Sequence, residues 1–298
     1  MNSEFYLLNK SFATPESIEI EDLTERLRIL EEDYMFIRSS ANDIIKKHES
    51  IYEQIIFDDL TVMDILYNGK GKGVFDRDMI SQLRNIVDKA IEDNIEPQEV
   101  IDILLHSRDE NTVYGLLCLH EIENIDEKYL VYNKNNWLSF HRYFLSVYPK
   151  NVDFFVEECE KYFPNIYLHE RNKQTIQHIF KDFSKKIIEH LTHLNDSFSH
   201  CKILNNRTET LSRFTAYCNL DESASVEGNF ARKNDFTFSF LKHDNKIEEV
   251  CCEPHLKLSR SDYYPGDNEY YFHRIYFHEG KENIHQGKIL VGHIGKHL

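Results

Sequence analysis

The sequence predicts an α+β fold, in which a mainly helical N-terminal body (residues 1–220) precedes a small C-terminal antiparallel β-module (residues 221–298). Apolar residues recur at spacings of three and four through much of the first part, and from Phe236 the spacing changes to two. The first spacing places apolar side chains along one face of a helix, and the second places them on one face of a strand. The length is sufficient for two units that each bury a core.

Helical spacing begins at Glu21 and predicts one or two long helices that extend to Phe57. The apolar positions in this stretch are Leu23, Leu27, Leu30, Tyr34, Ile37, Ile44, Ile45 and Ile51. Later segments with the same spacing are also predicted to be helices. They are 77–94, 97–107 with Pro97 in its first turn, 112–121, 135–148, 151–162, 172–195 and about 208–219.

Residues 236–298 are expected to form about four antiparallel strands with one polar face. Phe236, Phe238 and Phe240 alternate with polar residues, as on a half-buried strand. In the next run the residues on the polar side are Cys251, Glu253, His255 and Lys257. On the third strand Arg274 shares a side with Tyr276 and His278. The fourth strand, from Lys288 to His293, is apolar on both faces, which is typical of a central strand.

Charge and cysteine usage indicate an acidic protein of the cytoplasm. The formal net charge is -16, but residues 226–298 carry ten basic and eleven acidic residues, which leaves 25 basic and 40 acidic residues to the rest. The near-neutral module can therefore meet RNA or a nucleotide while the acidic body repels it. The six cysteines show no C-x-x-C spacing, and no apolar run is long enough to span a bilayer, so we expect no disulfide framework and no membrane partner.

The candidate site lies in the last 56 residues, which contain seven of the sixteen histidines. Side chains two residues apart on a strand project into the same space, and general acid–base catalysis requires such proximity. The candidate catalytic residues are His255, Lys257, Arg274, His293 and His297, and the candidate substrate-binding residues are Glu253, His273, His278 and Lys296. We expect Arg274, His255 and His293 to be partly exposed. The structural alternative is a sheet with hydrogen-bonded histidines and a solvated charged edge.

Three pieces of the C-terminal module occur in the order found in a known group of enzymes. They are Glu253-Pro254-His255-Leu256-Lys257, His273-Arg274-Ile275-Tyr276-Phe277 and Gly292-His293-Ile294-Gly295-Lys296-His297. On these residues the last 70 or so positions resemble the small ribonuclease toxins of the RelE/YoeB type. The resemblance implies a concave sheet that binds RNA. It also implies that Arg274 and a basic residue near Lys257 contact phosphate, and that His293 or His297 transfers protons.

Two shorter patterns point to other phosphodiester chemistry. His255-x-Lys257-x4-Asp262 resembles the H-x-K-x4-D motif of phospholipase D-like phosphodiesterases, in which the histidine attacks phosphorus and the lysine neutralises the phosphate oxygens. Arg171 and His178 resemble the R-x4–6-H pattern of HEPN-type ribonucleases. Seven residues is two helical turns, so a continuous helix places both side chains on one face.

These observations favour a metal-independent RNA-cleaving effector of a toxin or phage-defence system, with its active site on the C-terminal sheet and no cofactor. The alternative is a non-enzymatic interaction protein, whose sheet binds a nucleotide, nucleic acid or protein and whose helical region docks a protein partner. The pairs His190/His193 and His293/His297 lack a clear third ligand, so activity is expected to survive chelation.

Overall fold

The computed structural model describes residues 1–14, 18–228, 230–258 and 273–298. The chain forms two compact units, Met1–Phe144 and Leu145–Leu298, and the α+β class is confirmed. The division falls between Phe144 and Leu145, whereas the change of hydrophobic period predicts it at 220/221. No helix in the described ranges is both long and apolar enough to cross a lipid bilayer.

The first unit is built on a parallel sheet. Its strands are β1 (Asn2–Leu7), β2 (Asp43–Lys47), β3 (Ile55–Phe57), β4 (Leu60–Thr61), β5 (Ile91–Glu92), β6 (Thr112–Leu117) and β7 (Leu130–Val131). Five of them pair in the order β5-β2-β1-β6-β7, and every pairing is parallel. β3 and β4 form a separate antiparallel pair.

The helices of this unit fall in segments predicted to be helical, except for the short helix at 62–66. They are α1 (Ile20–Ser39), α2 (Val62–Leu66), α3 (Arg77–Val87), α4 (Pro97–Glu99), which continues as a π-helix over Val100–Leu104, and α5 (Lys134–Val147), which crosses the division. In α1 the predicted stripe from Leu23 to Ile37 is buried. The Asp76 carboxylate accepts the backbone N–H of Met79 and so caps the start of α3.

The prediction of a mainly helical body is wrong for this unit. The segment 112–121 was expected to be helical but forms β6, and Ile44 and Ile45 belong to β2. Strands inside a parallel sheet are buried on both faces and therefore read as continuous apolar runs. Leu116 and Leu117 are consecutive and both fully buried. Over so few residues, an apolar run fits a helix as well as a strand.

The second unit combines helices with two sheets. Its helices are α6 (Val152–Tyr162), α7 (Asn172–Thr175), α8 (Phe180–Cys201) and α9 (Arg207–Tyr217). Its strands are β8 (Ile166–Leu168), β9 (Thr237–Leu241), β10 (Ile247–Cys251), β11 (His255–Lys257), β12 (His273–His278) and β13 (Ile289–Lys296). β9 and β10 form an antiparallel hairpin, and the other four pair in the order β11-β12-β13-β8.

The predicted C-terminal antiparallel sheet is therefore confirmed only in part. β11, β12 and β13 are antiparallel, but the sheet is completed by β8, which runs parallel to β13 and comes from the part predicted to be helical. The hairpin packs over one face of this sheet, with Phe236, Phe238 and Phe240 in a core with Tyr276. On the other face Phe198 of α8 contacts Phe277, with ring centroids 5.3 Å apart.

This packing explains why residue 292 is a glycine. A Cβ at position 292 would lie 2.2 Å from the Phe238 ring, so only glycine lets the hairpin approach β13 this closely. The residue also coincides with an irregularity in the register, because Tyr276 pairs with His293 while Phe277 pairs with Val291. The glycine thus serves the core of the unit.

Candidate functional site

The register of the four-stranded sheet brings several predicted site residues onto one face. His255 of β11 lies opposite Tyr276 of β12, and Tyr276 lies opposite His293 of β13. Two pairs further along, Lys257 lies opposite Arg274. Directly opposed residues on antiparallel strands share a face, and so do residues two apart on one strand. All five side chains therefore project from the same side of the sheet.

Glu227 reaches this face from the segment that precedes the hairpin. Ser225 forms an isolated antiparallel bridge with His255, and their backbone hydrogen bonds measure 2.9 and 3.2 Å. Glu227 stands two residues beyond Ser225 and so points to the same side. Its side chain is only 11% exposed, so the carboxylate is largely withdrawn from water.

Four side chains converge on this carboxylate. The Tyr276 hydroxyl donates to Glu227 Oε1 over 2.9 Å, and Arg274 Nη1 forms an ion pair with the same oxygen. His297 Nε2 lies 3.2 Å from Oε1, and His255 Nδ1 lies 3.5 Å from it. We call Glu227, His255, Arg274, Tyr276 and His297 the Glu227 cluster. Three of the five predicted catalytic residues belong to it.

The cluster holds Glu227 ionised and Tyr276 neutral. Burial acts to raise the pKa of Glu227, but the hydrogen bond from Tyr276 and the charge of Arg274 outweigh it and keep this pKa below the ordinary 4.5. Burial raises the pKa of the Tyr276 phenol, and the neighbouring carboxylate adds to that effect. A carboxylate, a guanidinium and a neutral hydroxyl therefore meet at one point near neutral pH.

The two histidines of the cluster differ in access to solvent. His255 is 2% exposed, its Nε2 lies 3.0 Å from Ser225 Oγ, and its Nδ1 lies 3.3 Å from the backbone oxygen of Glu253. Burial, reinforced by Arg274, lowers the pKa of His255 to about 4. The side chain of His297 is 26% exposed, and burial followed by Arg274 also lowers its pKa below the ordinary value. His297 is thus the accessible imidazole of the cluster.

The expectation of partial exposure is wrong for His255 and His293. Their exposed fractions are 2% and 3%, because the sheet face that carries them lies under the hairpin and the 225–228 segment. His293 Nε2 donates to the backbone oxygen of Lys296 over 2.9 Å, and burial lowers the pKa of His293 to about 4. Lys257 Nζ lies 3.5 Å from Glu222 Oε2. Neither His293 nor Lys257 joins the Glu227 cluster.

The predicted substrate-binding residues fall into two pairs. Glu253 and His278 line a cleft of about 640 Å³ beside the cluster. His273 and Lys296 face each other on β12 and β13, and the His273 ring packs against Phe183 with centroids 4.9 Å apart. The cleft does not cover the cluster itself. The chemistry therefore centres on the cluster, and the cleft is a neighbouring surface.

The two other sequence patterns do not assemble a site among the described residues. Asp262 of the H-x-K-x4-D pattern lies outside them, and both ring nitrogens of His255 have hydrogen-bond partners. The continuous helix expected over 172–195 is interrupted, since α7 ends at Thr175 and α8 begins at Phe180. Arg171 stacks on the Phe238 ring at 4.7 Å, whereas His178 is exposed. The two-turn argument for Arg171 and His178 therefore does not hold.

Glu227 and Tyr276 were missed by reasoning from the sequence. Glu227 lies in a segment without apolar alternation, and its one signal is its spacing of two from Ser225. The period of two puts Tyr276 beside Arg274, but it gives no sign that the tyrosine hydroxyl meets a carboxylate. Among the described residues, no group of three or more His, Cys, Asp and Glu side chains is arranged to hold a metal ion.

Comparisons with protein-family models, curated proteins and solved structures find no match for this chain. Function is therefore argued from the geometry and chemistry of the cluster.

Proposed function

We propose that the Glu227 cluster cleaves RNA without a metal ion, by directing the 2′-hydroxyl of a ribonucleotide onto the adjacent phosphorus. This reaction needs a base for the hydroxyl, an acid for the leaving oxygen and a cation for the phosphate. The observation that carries the proposal is an ionised carboxylate with both a guanidinium and an accessible imidazole within hydrogen-bond reach of it.

The roles follow from protonation and exposure. Glu227 accepts the proton of the 2′-hydroxyl while the O2′–P bond forms. The P–O5′ bond breaks, and His297 in its imidazolium form gives a proton to the departing 5′-oxygen. The products are a 2′,3′-cyclic phosphate and a 5′-hydroxyl. Because His297 Nε2 lies 3.2 Å from Glu227 Oε1, the proton held by Glu227 can return to His297 for the next cycle.

Arg274 and Tyr276 support these steps. When Glu227 takes a proton, it loses the charge that holds Arg274, and the guanidinium becomes available to the charge that develops on the phosphate. The Tyr276 hydroxyl orients the carboxylate. His255 is a positioning residue, because it is buried and its ring nitrogens are engaged. The resemblance to RelE/YoeB-type toxins supports the same substrate and an effector role, since it assigns phosphate contact to Arg274 and proton transfer to His293 or His297.

The test is cleavage of a short, end-labelled single-stranded RNA in the presence of EDTA. Glu227→Gln and His297→Ala are each expected to lower the rate on the order of 100-fold or more, as the loss of a proton-transfer group does. His178→Ala is the matched control, because His178 is an exposed histidine outside the cluster. Products should end in a cyclic phosphate, and a 2′-deoxy substitution at the cleaved position should block the reaction. Wild-type rates in the Glu227→Gln variant would exclude the mechanism.

A second function is favoured by one observation, the engagement of Arg274 and His255 with other groups of the protein. A guanidinium paired with a carboxylate and an imidazole with both nitrogens bonded are also the features of a structural network. In that case the sheet belongs to a non-enzymatic binding protein. The same assay separates the two functions, because a binding protein retains RNA or protein partners but yields no cyclic-phosphate product.

A further inference from the structure

The cleft beside the Glu227 cluster has a cationic lining. It has a volume of about 640 Å³ and includes Arg207, Lys233 and Lys281 together with His278 and Glu253. It opens on the polar side of the hairpin, where Thr237, Glu249 and Cys251 also line it, while Val250 and Cys252 are buried on the opposite side. This positive lining contrasts with the formal net charge of -16.

His278 supplies a neutral donor in these surroundings. Its Nδ1 accepts the backbone N–H of Gly280 over 3.1 Å, so the ring proton resides on Nε2. Within the described parts of the chain, no group accepts a hydrogen bond from this Nε2. Burial is the main cause that lowers the pKa of His278 to about 4; Glu279 opposes it, and Arg207, Lys281 and Lys202 add to it. Three cations thus help to keep the imidazole of His278 neutral, and its Nε2–H is available to donate a hydrogen bond to a ligand.

The acidic groups around the cleft are already engaged. Glu253 Oε1 accepts the backbone N–H of Gly228 over 3.0 Å, and the Ser239 hydroxyl donates to Glu249. Arg207 pairs with Glu279 over 2.6 Å. Lys281 pairs with Glu248 over 2.5 Å. A guanidinium has five N–H donors and an ammonium three, so Arg207 and Lys281 are held in place and still have donors to offer an anion.

We infer that this cleft binds the phosphate next to the scissile one in a single RNA strand. The inference rests on the proposed function. Phe236 lines the cleft and stacks on Tyr276, with ring centroids 5.3 Å apart and 24° between the planes. The cleft and the cluster are therefore separated by one aromatic ring. A strand whose scissile phosphate lies at Glu227 and that continues past Phe236 enters the cleft.

The test compares two substrates in steady-state kinetics. A dinucleoside monophosphate contains the scissile phosphate alone, and a tetranucleotide adds neighbouring phosphates. Lys281→Gln and Lys233→Gln are expected to raise the KM for the tetranucleotide about tenfold, with kcat unchanged and with no effect on the dinucleotide. Lys246→Gln is the matched control, because its side chain is 75% exposed and Lys246 does not line the cleft. Equal effects of Lys281→Gln on both substrates would overturn the inference but leave the cleavage mechanism standing.

If the wild type cleaves neither substrate, the proposed function is overturned, but the cleft can still be tested by a binding measurement. The probe is a fluorescent all-2′-deoxy tetranucleotide, followed by anisotropy at several salt concentrations. Each lysine that contacts a phosphate is expected to contribute about one unit to the slope of log affinity against log salt. An unchanged slope in Lys281→Gln would refute the phosphate contact. If inorganic phosphate binds as tightly as the tetranucleotide, the cleft is a site for free phosphate, and the inference that it binds an RNA strand is refuted.

Discussion

Acidification is expected to destabilise the second unit through four histidines, of which three are buried and His278 is partly buried. They are His190, His255, His278 and His293, and burial is the largest cause that lowers each of their pKa values to about 4. The ordinary pKa of 6.5 applies in the unfolded chain. Because the folded state favours the neutral imidazole, their contribution to stability is fully present above pH 6.5 and is lost as the pH falls towards 4.

The magnitude follows from the difference between the two pKa values. At a pH of about 5.5, one such histidine costs about 1.4 kcal/mol of unfolding free energy, and at about pH 5 it costs about 2 kcal/mol. At about pH 5.5 the four histidines together cost roughly 5.6 kcal/mol, which is an upper figure because local water entry reduces it. The free energy of unfolding of a typical domain is about 5–15 kcal/mol. The second unit should therefore lose a large part of its stability between pH 7 and pH 5.5.

Urea unfolding at a series of pH values measures this effect. Far-ultraviolet circular dichroism reports both units, whereas the fluorescence of Trp137, the only tryptophan, reports the first. His190→Gln should keep the donor to the backbone oxygen of Lys257 but remove one titrating group, so the dependence of stability on pH should become shallower. An unfolding free energy that changes by less than about 1 kcal/mol between pH 7.5 and 5.5 would refute the reasoning.

Three further results are expected. Gly292→Ala should lower stability by about 1–3 kcal/mol, because the new Cβ meets the Phe238 ring; an unchanged thermal melt would contradict the packing. The kcat/KM for RNA should fall as the pH rises towards neutrality, since burial and Arg274 keep the pKa of His297 below 6.5; a flat profile would exclude His297 as the proton donor. Cleavage should persist in EDTA. If EDTA abolishes cleavage and a divalent metal ion restores it, the mechanism is metal-dependent and the proposed one is wrong.

Local sequence was sufficient for the amphipathic helices. In α1 and α8 the apolar side chains recur at the helical period over many turns, and both helices bury that stripe. The alternation from Phe236 to Phe240 was equally informative, because β9 buries every second residue. In these segments the pattern that stabilises the element is contained in neighbouring residues of the chain.

The parallel sheet of the first unit was not predictable in this way. β1 and β6 owe their conformation to hydrogen bonds with strands that are distant in the sequence, and the apolar runs Phe5–Leu7 and Leu116–Leu117 contain no alternation to reveal it. The short strand β8 is a similar case. Its pairing with β13 joins residues more than 120 positions apart, and only the folded chain brings them together.

The sequence by itself determined which chemical groups the C-terminal module carries and, through the period of two, that His255 and Lys257 share one side of a strand and that Arg274 and Tyr276 share one side of the next. Only the tertiary structure decided which of them meet. Glu227 approaches His255 because Ser225 bridges to it, and the register sets Tyr276 between His255 and His293. Burial then separates the accessible His297 from the enclosed His255. Proximity, register and solvent access depend on contacts between distant segments, and no local pattern encodes them.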